Sequence, residues 1–142
     1  MKILVSACLM GVGCRYDGKS NELPQLAELL TRHDCIPACA EVFGGLPTPR
    51  IPAEILGDRV VNKEGRDVTE AFTRGAKEVA RLATVTGCTV ALLKERSPSC
   101  GCGQVYDGTF TKTLVEGDGL TAKALKELGL TVYGESEIEK LL

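Results

Sequence analysis

The sequence has no marked excess of charge of either sign. Its 142 residues carry 17 lysines and arginines against 19 aspartates and glutamates, which gives a formal net charge of -2. A protein that holds duplex nucleic acid neutralises its phosphates with a surplus of basic side chains. The composition therefore excludes duplex nucleic acid as an expected partner.

Long hydrophobic runs are also lacking. The first apolar run, Ile3 to Val5, soon meets Cys8 and Gly11. A membrane span needs about 20 apolar residues, and the core of a signal peptide also needs a longer run than this one. We therefore expect no membrane association and a cytoplasmic location.

Histidine is nearly absent, whereas cysteine is abundant. There is one histidine, His33, against seven cysteines. Thiols stay reduced in the cytoplasm, and an odd number cannot all form disulfides, so thiol, metal or cluster chemistry is favoured. Structural zinc is disfavoured, because Cys35 and Cys39 have the spacing of a zinc-binding pair but no matching second pair.

The hydrophobic pattern alternates between short apolar runs and helical stripes. The length and the 44% apolar fraction fit one globular domain, residues 1–142. Alternation of this kind predicts a parallel sheet with right-handed crossovers. We predict a single three-layer α/β domain that binds a cluster, with a four-stranded, mainly parallel sheet in the order 2-1-3-4 and helices on both faces. The predicted strands are 3–7, 34–40, 89–93 and 130–133, and the predicted helices are 23–30, 67–87, 121–128 and 136–142.

Two local expectations concern the middle of the chain. The prolines and glycines between Val42 and Gly65 forbid a long regular element and predict an ordered loop, which in a compact domain is usually functional. Asp67 is predicted to cap the following helix, with Glu70 at the reciprocal position of a capping box.

Three cysteines fall at the carboxyl ends of predicted strands. Cys8 follows the first strand, Cys39 closes the second, and Cys100 lies in the loop after the third. In the order 2-1-3-4 the first and third strands flank the switch point, where open α/β sheets bind ligands. The three thiols are therefore expected in one crevice, where they favour an iron–sulfur cluster. Cys14, in the same loop as Cys8, is an alternative to it, and the pair Cys100 and Cys102 is an alternative thiol redox site.

Several motifs in matching order resemble those of the thiouracil desulfidase family, long classed as a domain of unknown function. The resemblance runs from the first strand to the last. The motifs are Cys8-Leu9-Met10-Gly11, Cys14-Arg15-Tyr16-Asp17-Gly18, Cys39-Ala40-Glu41, Gly44-Gly45-Leu46, Pro49-Arg50, Asp67-Val68-Thr69, Leu93-Lys94, Ser97-Pro98-Ser99-Cys100-Gly101 and Tyr106-Asp107-Gly108.

The resemblance implies a [4Fe-4S] cluster that is held by only three cysteines: Cys8, Cys39 and Cys100. The open iron would bind the sulfur of a thiolated pyrimidine such as 4-thiouracil, and the C–S bond would be hydrolysed without net redox change. By the same resemblance Glu41 is the acid/base residue that works on water, and Ser97 positions that water or the substrate. Relatives usually have proline where this chain has Ala40, so the aim of Glu41 is less constrained by the backbone.

Two other functions compete with the desulfidase. One is a cluster-bearing carrier that accepts sulfide and passes it to a partner enzyme, and the other is a metal-free thiol redox protein. The sequence predicts a small sulfur-containing substrate and assigns no oligomeric state. Lys94 is the best further candidate for binding an anion, ahead of Arg15 and Arg50. Turn or packing roles are expected for Asp17, Asp107, Cys35, Cys88 and Cys102.

Overall fold

The computed structural model describes residues 1–142, and a four-stranded parallel sheet lies at its centre. Strands β2 (Asp34–Ala38), β1 (Lys2–Ser6), β5 (Val90–Leu93) and β8 (Thr131–Gly134) are neighbours in that order, and every pairing between them is parallel. The predicted order 2-1-3-4 is confirmed, since β5 and β8 are the third and fourth strands of this sheet along the chain. The elements are β1 (Lys2–Ser6), a 3-10 helix (Ala7–Met10), α1 (Leu26–Arg32), β2 (Asp34–Ala38), α2 (Ala40–Phe43), β3 (Ala53–Leu56), β4 (Arg59–Asn62), α3 (Thr69–Thr86), β5 (Val90–Leu93), β6 (Gln104–Tyr106), β7 (Leu114–Glu116), α4 (Leu120–Glu127), β8 (Thr131–Gly134) and a second 3-10 helix (Glu135–Leu141).

Helices cover both faces of the sheet, as the alternating pattern predicts. Successive side chains of a strand point to opposite faces, so β1 contributes to two separate cores. Ile3 packs in a cluster with Leu29 of α1 and Leu141 of the second 3-10 helix. Leu4 packs in the other cluster with Val79 of α3 and Leu125 of α4. The three layers are therefore helix, sheet and helix.

The segment from Val42 to Gly65 is not simply the ordered loop that we predicted. Strands β3 and β4 form an antiparallel hairpin within it, in which Leu56 pairs with Arg59. The two residues between them begin with Gly57, whose φ of 65° is costly for other residues. The pattern Gly-Asp between two apolar runs is a hairpin signal, and it was masked by the three prolines that precede β3.

The predicted capping box of α3 is wrong. The helix begins at Thr69, and the Asp67 carboxylate accepts a hydrogen bond from the Thr69 amide at 2.9 Å in a local turn. Glu70 forms an ion pair with Arg74 one turn further along the helix.

In α1 the fully buried side chain is Leu29, whereas Leu30 is 47% exposed.

Helix α2 is short, and its position depends on close contact with α3. A Cβ atom at Gly75 of α3 would clash with the carbonyl oxygen of Ala40. Only glycine permits this approach of backbone to backbone. The contact fixes the residues on either side of Ala40, which are Cys39 and Glu41.

No helix of the chain is long and apolar enough to cross a membrane.

Candidate active site

A cavity of about 480 Å³ opens at the carboxyl ends of β1, β2 and β5. Four cysteines from three different segments line it: Cys8, Cys14, Cys39 and Cys100. The structure thus brings together the three cysteines predicted to converge, and places the alternative Cys14 beside them. Cys35, Cys88 and Cys102 do not line this cavity.

The loop after β1 carries two of these thiols. Cys8 lies in the first 3-10 helix, where its carbonyl oxygen accepts a hydrogen bond from the Asn21 amide at 2.8 Å. The carbonyl oxygen of Cys14 accepts a hydrogen bond from Arg50 Nη2 at 2.8 Å. The Cys39 thiol, at the start of α2, lies 3.8 Å from the same oxygen. Cys14 and Cys39 are therefore neighbours across the cavity floor.

The loop that carries Cys100 is held by hydrogen bonds on both sides. The Ser97 hydroxyl accepts hydrogen bonds from the backbone amides of Ser99 and Cys100, each at 3.1 Å. The carbonyl oxygen of Ser99 in turn accepts from the amide of Thr121 in α4 at 2.8 Å. The loop therefore also caps the first turn of α4.

Burial makes these thiols poor acids in the cluster-free protein. Burial raises the pKa of Cys100 to about 12. Burial and the neighbouring Cys39 and Cys8 thiols raise the pKa of Cys14 to about 12, with Arg50 opposing the shift. The pKa of Cys8 is also raised by burial, and Lys94 opposes it. A redox pair needs a thiol of lowered pKa, whereas the pKa of Cys100 is raised.

The carboxylate of Glu41 is held at both of its oxygens. Oε1 accepts a hydrogen bond from Arg50 Nε at 3.0 Å, and Oε2 accepts one from the Ser99 hydroxyl at 3.2 Å. The side chain of Arg50 is only 5% exposed and that of Glu41 is 18% exposed. Such an ion pair has little freedom to rotate, so the direction of the carboxylate is fixed.

Ser97 does not contact Glu41 directly. Its hydroxyl lies 3.1 Å from the Ser99 hydroxyl, which makes the bond to Glu41. The Ser99 hydroxyl is also 3.7 Å from the Cys100 thiol. Sequence reasoning missed Ser99, although the Ser-Pro-Ser triplet places a second hydroxyl two residues from the first.

The basic candidates around the cavity differ in how they are paired. Lys94 lines the cavity, and its ammonium forms an ion pair with Glu135 at 2.7 Å. Arg15 is paired with Asp17 at 3.1 Å, in a turn, as expected for that aspartate. Asp107 likewise accepts hydrogen bonds from Thr109. Arg50, ranked below Lys94 from the sequence, is the cation that holds Glu41.

Comparison with known proteins identifies the family. Residues 3–137 match 2-thiouracil desulfurase. The chain belongs to the 2-thiouracil desulfurase family. It is 39% identical over 150 residues to the uncharacterized protein YbbK of Bacillus subtilis (strain 168), and the match covers 99% of each chain.

A solved structure of the [4Fe-4S]-dependent thiouracil desulfidase TudS is similar to this 2-thiouracil desulfurase family member. The two share 44% sequence identity with a TM-score of 0.93, over 99% of this chain and 94% of that one. The resemblance seen in the motifs and the predicted α/β fold are both confirmed. The family match and the likeness to TudS support a desulfidase function.

Proposed function

We propose that this chain is a [4Fe-4S]-dependent desulfidase that hydrolyses the C–S bond of a thiolated pyrimidine such as 4-thiouracil, without net redox change. The observation that carries the proposal is one cavity lined by thiols from three strand ends together with a doubly held carboxylate. Water supplies the oxygen of the product, and the sulfur leaves as hydrosulfide. Because the carbon keeps its oxidation state, the reaction needs no electron donor.

The donor set of the cavity fits such a cluster. Its thiols are soft ligands. No three His, Cys, Asp or Glu side chains lie close enough together to bind one metal ion between them. A cluster instead spreads its thiolates over different irons. Cys8, Cys39 and Cys100 would hold it, with Cys14 as the substitute for Cys8. A cluster with three protein ligands supplies one open iron, a Lewis acid to which a substrate sulfur can bind.

Positive side chains around the cavity favour the thiolate forms that ligation requires. Burial raises the pKa of both Cys14 and Cys8; Arg50 opposes part of the rise at Cys14, and Lys94 opposes part of it at Cys8. The deprotonated ligands are therefore stabilised by cations that the fold already holds in place. The other cations that line the cavity are Arg15, Lys63, Arg96 and Lys112.

Glu41 is the proposed acid/base residue. The ion pair with Arg50 presents a carboxylate whose two oxygens each already accept one hydrogen bond. A carboxylate oxygen has a second lone pair, so Glu41 can still accept a proton from a water in the cavity. The Ser99 hydroxyl lies between Ser97 and Glu41 and is within hydrogen-bond distance of both. We propose that Ser97 positions the water or the substrate, and that this chain of hydroxyls links it to Glu41.

The compartment and the domain organisation belong to the same proposal. Reduced thiols and a cluster of this type suit the cytoplasm. We propose that residues 1–142 act there as a single cluster-binding domain on a small thiouracil-like substrate.

Anaerobic turnover tests the proposal. The protein is purified and reconstituted without oxygen, and the near-ultraviolet absorbance of 4-thiouracil is followed together with sulfide release. We expect turnover by the wild-type protein and a loss of at least about 100-fold in Glu41→Gln at equal iron content, since general base catalysis contributes about 10²–10⁴-fold. Glu95→Gln is the matched control, because Glu95 lines the same cavity but its carboxylate is bound to Ser136.

Three outcomes would contradict the proposal. A fully loaded wild-type protein that leaves 4-thiouracil unchanged would exclude this substrate. Uptake of sulfide without turnover would instead support the sulfide carrier. A sample that binds no iron under strictly anaerobic conditions would support the metal-free thiol protein.

A further inference from the structure

Part of the cavity wall is built from the two hairpins, β3–β4 and β6–β7. The β3–β4 hairpin contributes Glu54, and the β6–β7 hairpin contributes Tyr106, Phe110 and Lys112. None of these residues holds a thiol or the Glu41 carboxylate. Their part in the site therefore needs a separate account, which rests on the desulfidase function proposed above.

Glu54 joins the two hairpins. It is only 8% exposed, and its Oε1 accepts hydrogen bonds from the backbone amides of Gly108 at 3.0 Å and Phe110 at 3.1 Å. It forms no ion pair with a cation of the chain. A buried carboxylate is costly unless it is hydrogen-bonded, and here the backbone of the β6–β7 loop satisfies it. Glu54 thus fixes the backbone at Phe110.

Phe110 has a backbone conformation that disfavours a side chain. Its φ is 58°, in the left-handed region, which costs a residue with a Cβ atom about 1–2 kcal/mol relative to the right-handed region. Glycine would adopt the same conformation without this cost. Strained residues persist where the surrounding structure holds them, and they cluster at functional sites. The aromatic ring is the feature of Phe110 that glycine would lack.

The other aromatic residues of the cavity are less suited to receive a planar ring. Tyr16 is 43% exposed, and the Arg15 guanidinium lies 5.7 Å from the centre of its ring, so one face is already covered. Tyr106 lies in strand β6, paired with Leu114 of β7. Phe110 alone is carried on the loop that joins the two strands.

We propose that Phe110 is a specificity-determining residue that stacks on the pyrimidine ring of the substrate, and that Glu54 is the positioning residue that holds it there. A flat heteroaromatic ring offers a phenyl group a larger face for stacking than an acyclic thioamide does. The pair would therefore select planar thiolated heterocycles from other thiocarbonyl compounds.

Phe110→Gly removes the aromatic ring and keeps the left-handed backbone conformation. Stacking of a base on an aromatic side chain is worth about 1–3 kcal/mol, so we expect KM for 4-thiouracil to rise about 5- to 160-fold while kcat changes less than about threefold. The unfolding transition should be preserved, because glycine suits the left-handed conformation. Phe110→Tyr keeps an aromatic ring and should retain a KM near that of the wild-type protein.

Glu54→Ala tests the positioning role. It leaves two backbone amides without their acceptor, so KM should rise as in Phe110→Gly, and the double variant should be no worse than Phe110→Gly alone. Glu54→Gln keeps an acceptor oxygen and should restore most of the loss. A merely structural role of Glu54 would lower kcat or the iron content and would add to the effect of Phe110→Gly.

A binding measurement distinguishes failure of this inference from failure of the proposed function. Binding of the product uracil to the iron-loaded protein is measured by calorimetry, so that it does not depend on turnover. A wild-type protein without turnover contradicts the proposed function. Turnover by the wild-type protein with unchanged KM and uracil affinity in Phe110→Gly overturns the stacking role, and an effect confined to Tyr16→Leu would assign stacking to Tyr16 instead.

Discussion

The buried pair of Arg50 and Glu41 predicts a large energetic coupling in the cluster-free protein. The Arg50 guanidinium donates to Glu41 at 3.0 Å and to the Cys14 carbonyl oxygen at 2.8 Å, and it is almost fully buried. Arg50→Met removes these bonds, together with those to Pro47 and Thr48, and leaves Glu41 with its negative charge and only the Ser99 hydroxyl as a partner.

The expected magnitude follows from these contacts. Hydrogen bonds to charged groups contribute about 1.5–3 kcal/mol each, and breaking a buried pair by removing one partner costs about 3–5 kcal/mol. Glu41 is partly exposed, so we place the loss in Arg50→Met at about 3 kcal/mol. Glu41→Gln removes the stranded charge, so the double variant should recover about 1–2 kcal/mol relative to the sum of the single changes.

Urea unfolding of the reduced, cluster-free protein measures these free energies in a double-mutant cycle. Arg32→Met is the control, because Arg32 forms only an exposed pair with Glu28 in α1. That change should cost less than about 0.5 kcal/mol. The reasoning is refuted if Arg50→Met costs no more than Arg32→Met, or if the coupling between Arg50 and Glu41 is below about 0.3 kcal/mol.

Two further predictions concern the thiols and the start of α2. Burial raises the pKa of Cys100 from 9.0 to about 12, so the folded protein favours the neutral thiol. The neutral Cys100 thiol therefore contributes its full stabilisation below about pH 9, and this stabilisation is lost as the pH rises towards 12. The cluster-free wild-type protein should therefore lose about 2 kcal/mol more than Cys100→Ala between about pH 8 and 10.5, and equal losses would contradict the shift. Ala40→Pro should change the free energy of unfolding by less than about 1 kcal/mol, because Ala40 is the first residue of α2 and follows Cys39, which is in the extended conformation that precedes proline. A larger loss in urea unfolding would show that a ring does not fit against Gly75.

The order of the sheet and the convergence of the cysteines could be predicted because both depend on local pattern. The run Ile3 to Val5 is fully buried, as continuous apolar residues of a central parallel strand should be. The carboxyl ends of parallel strands share one edge of a sheet, so Cys8, Cys39 and Cys100 had to meet there. The same logic placed Cys88 before β5, at the opposite edge.

The contacts that orient the proposed site residues could not be predicted, because they join different segments of the chain. Glu41 receives hydrogen bonds from Arg50, which precedes the β3–β4 hairpin, and from Ser99, which follows β5. Glu54 reaches the β6–β7 loop more than fifty residues later. Neither pattern nor propensity encodes such contacts, and the hairpins themselves are short strands within glycine- and proline-rich sequence.

Position 40, where the family resemblance leads us to expect proline, shows how this chain fixes Glu41 by tertiary contacts. Proline would have restricted the backbone before Glu41, and Ala40 removes that restriction. The close approach of Gly75 to the Ala40 carbonyl oxygen anchors the backbone instead. Arg50 and Ser99 then fix the two carboxylate oxygens. Since three separate segments set the direction of Glu41, its own segment needs no proline at position 40 to hold the proposed acid/base residue in place.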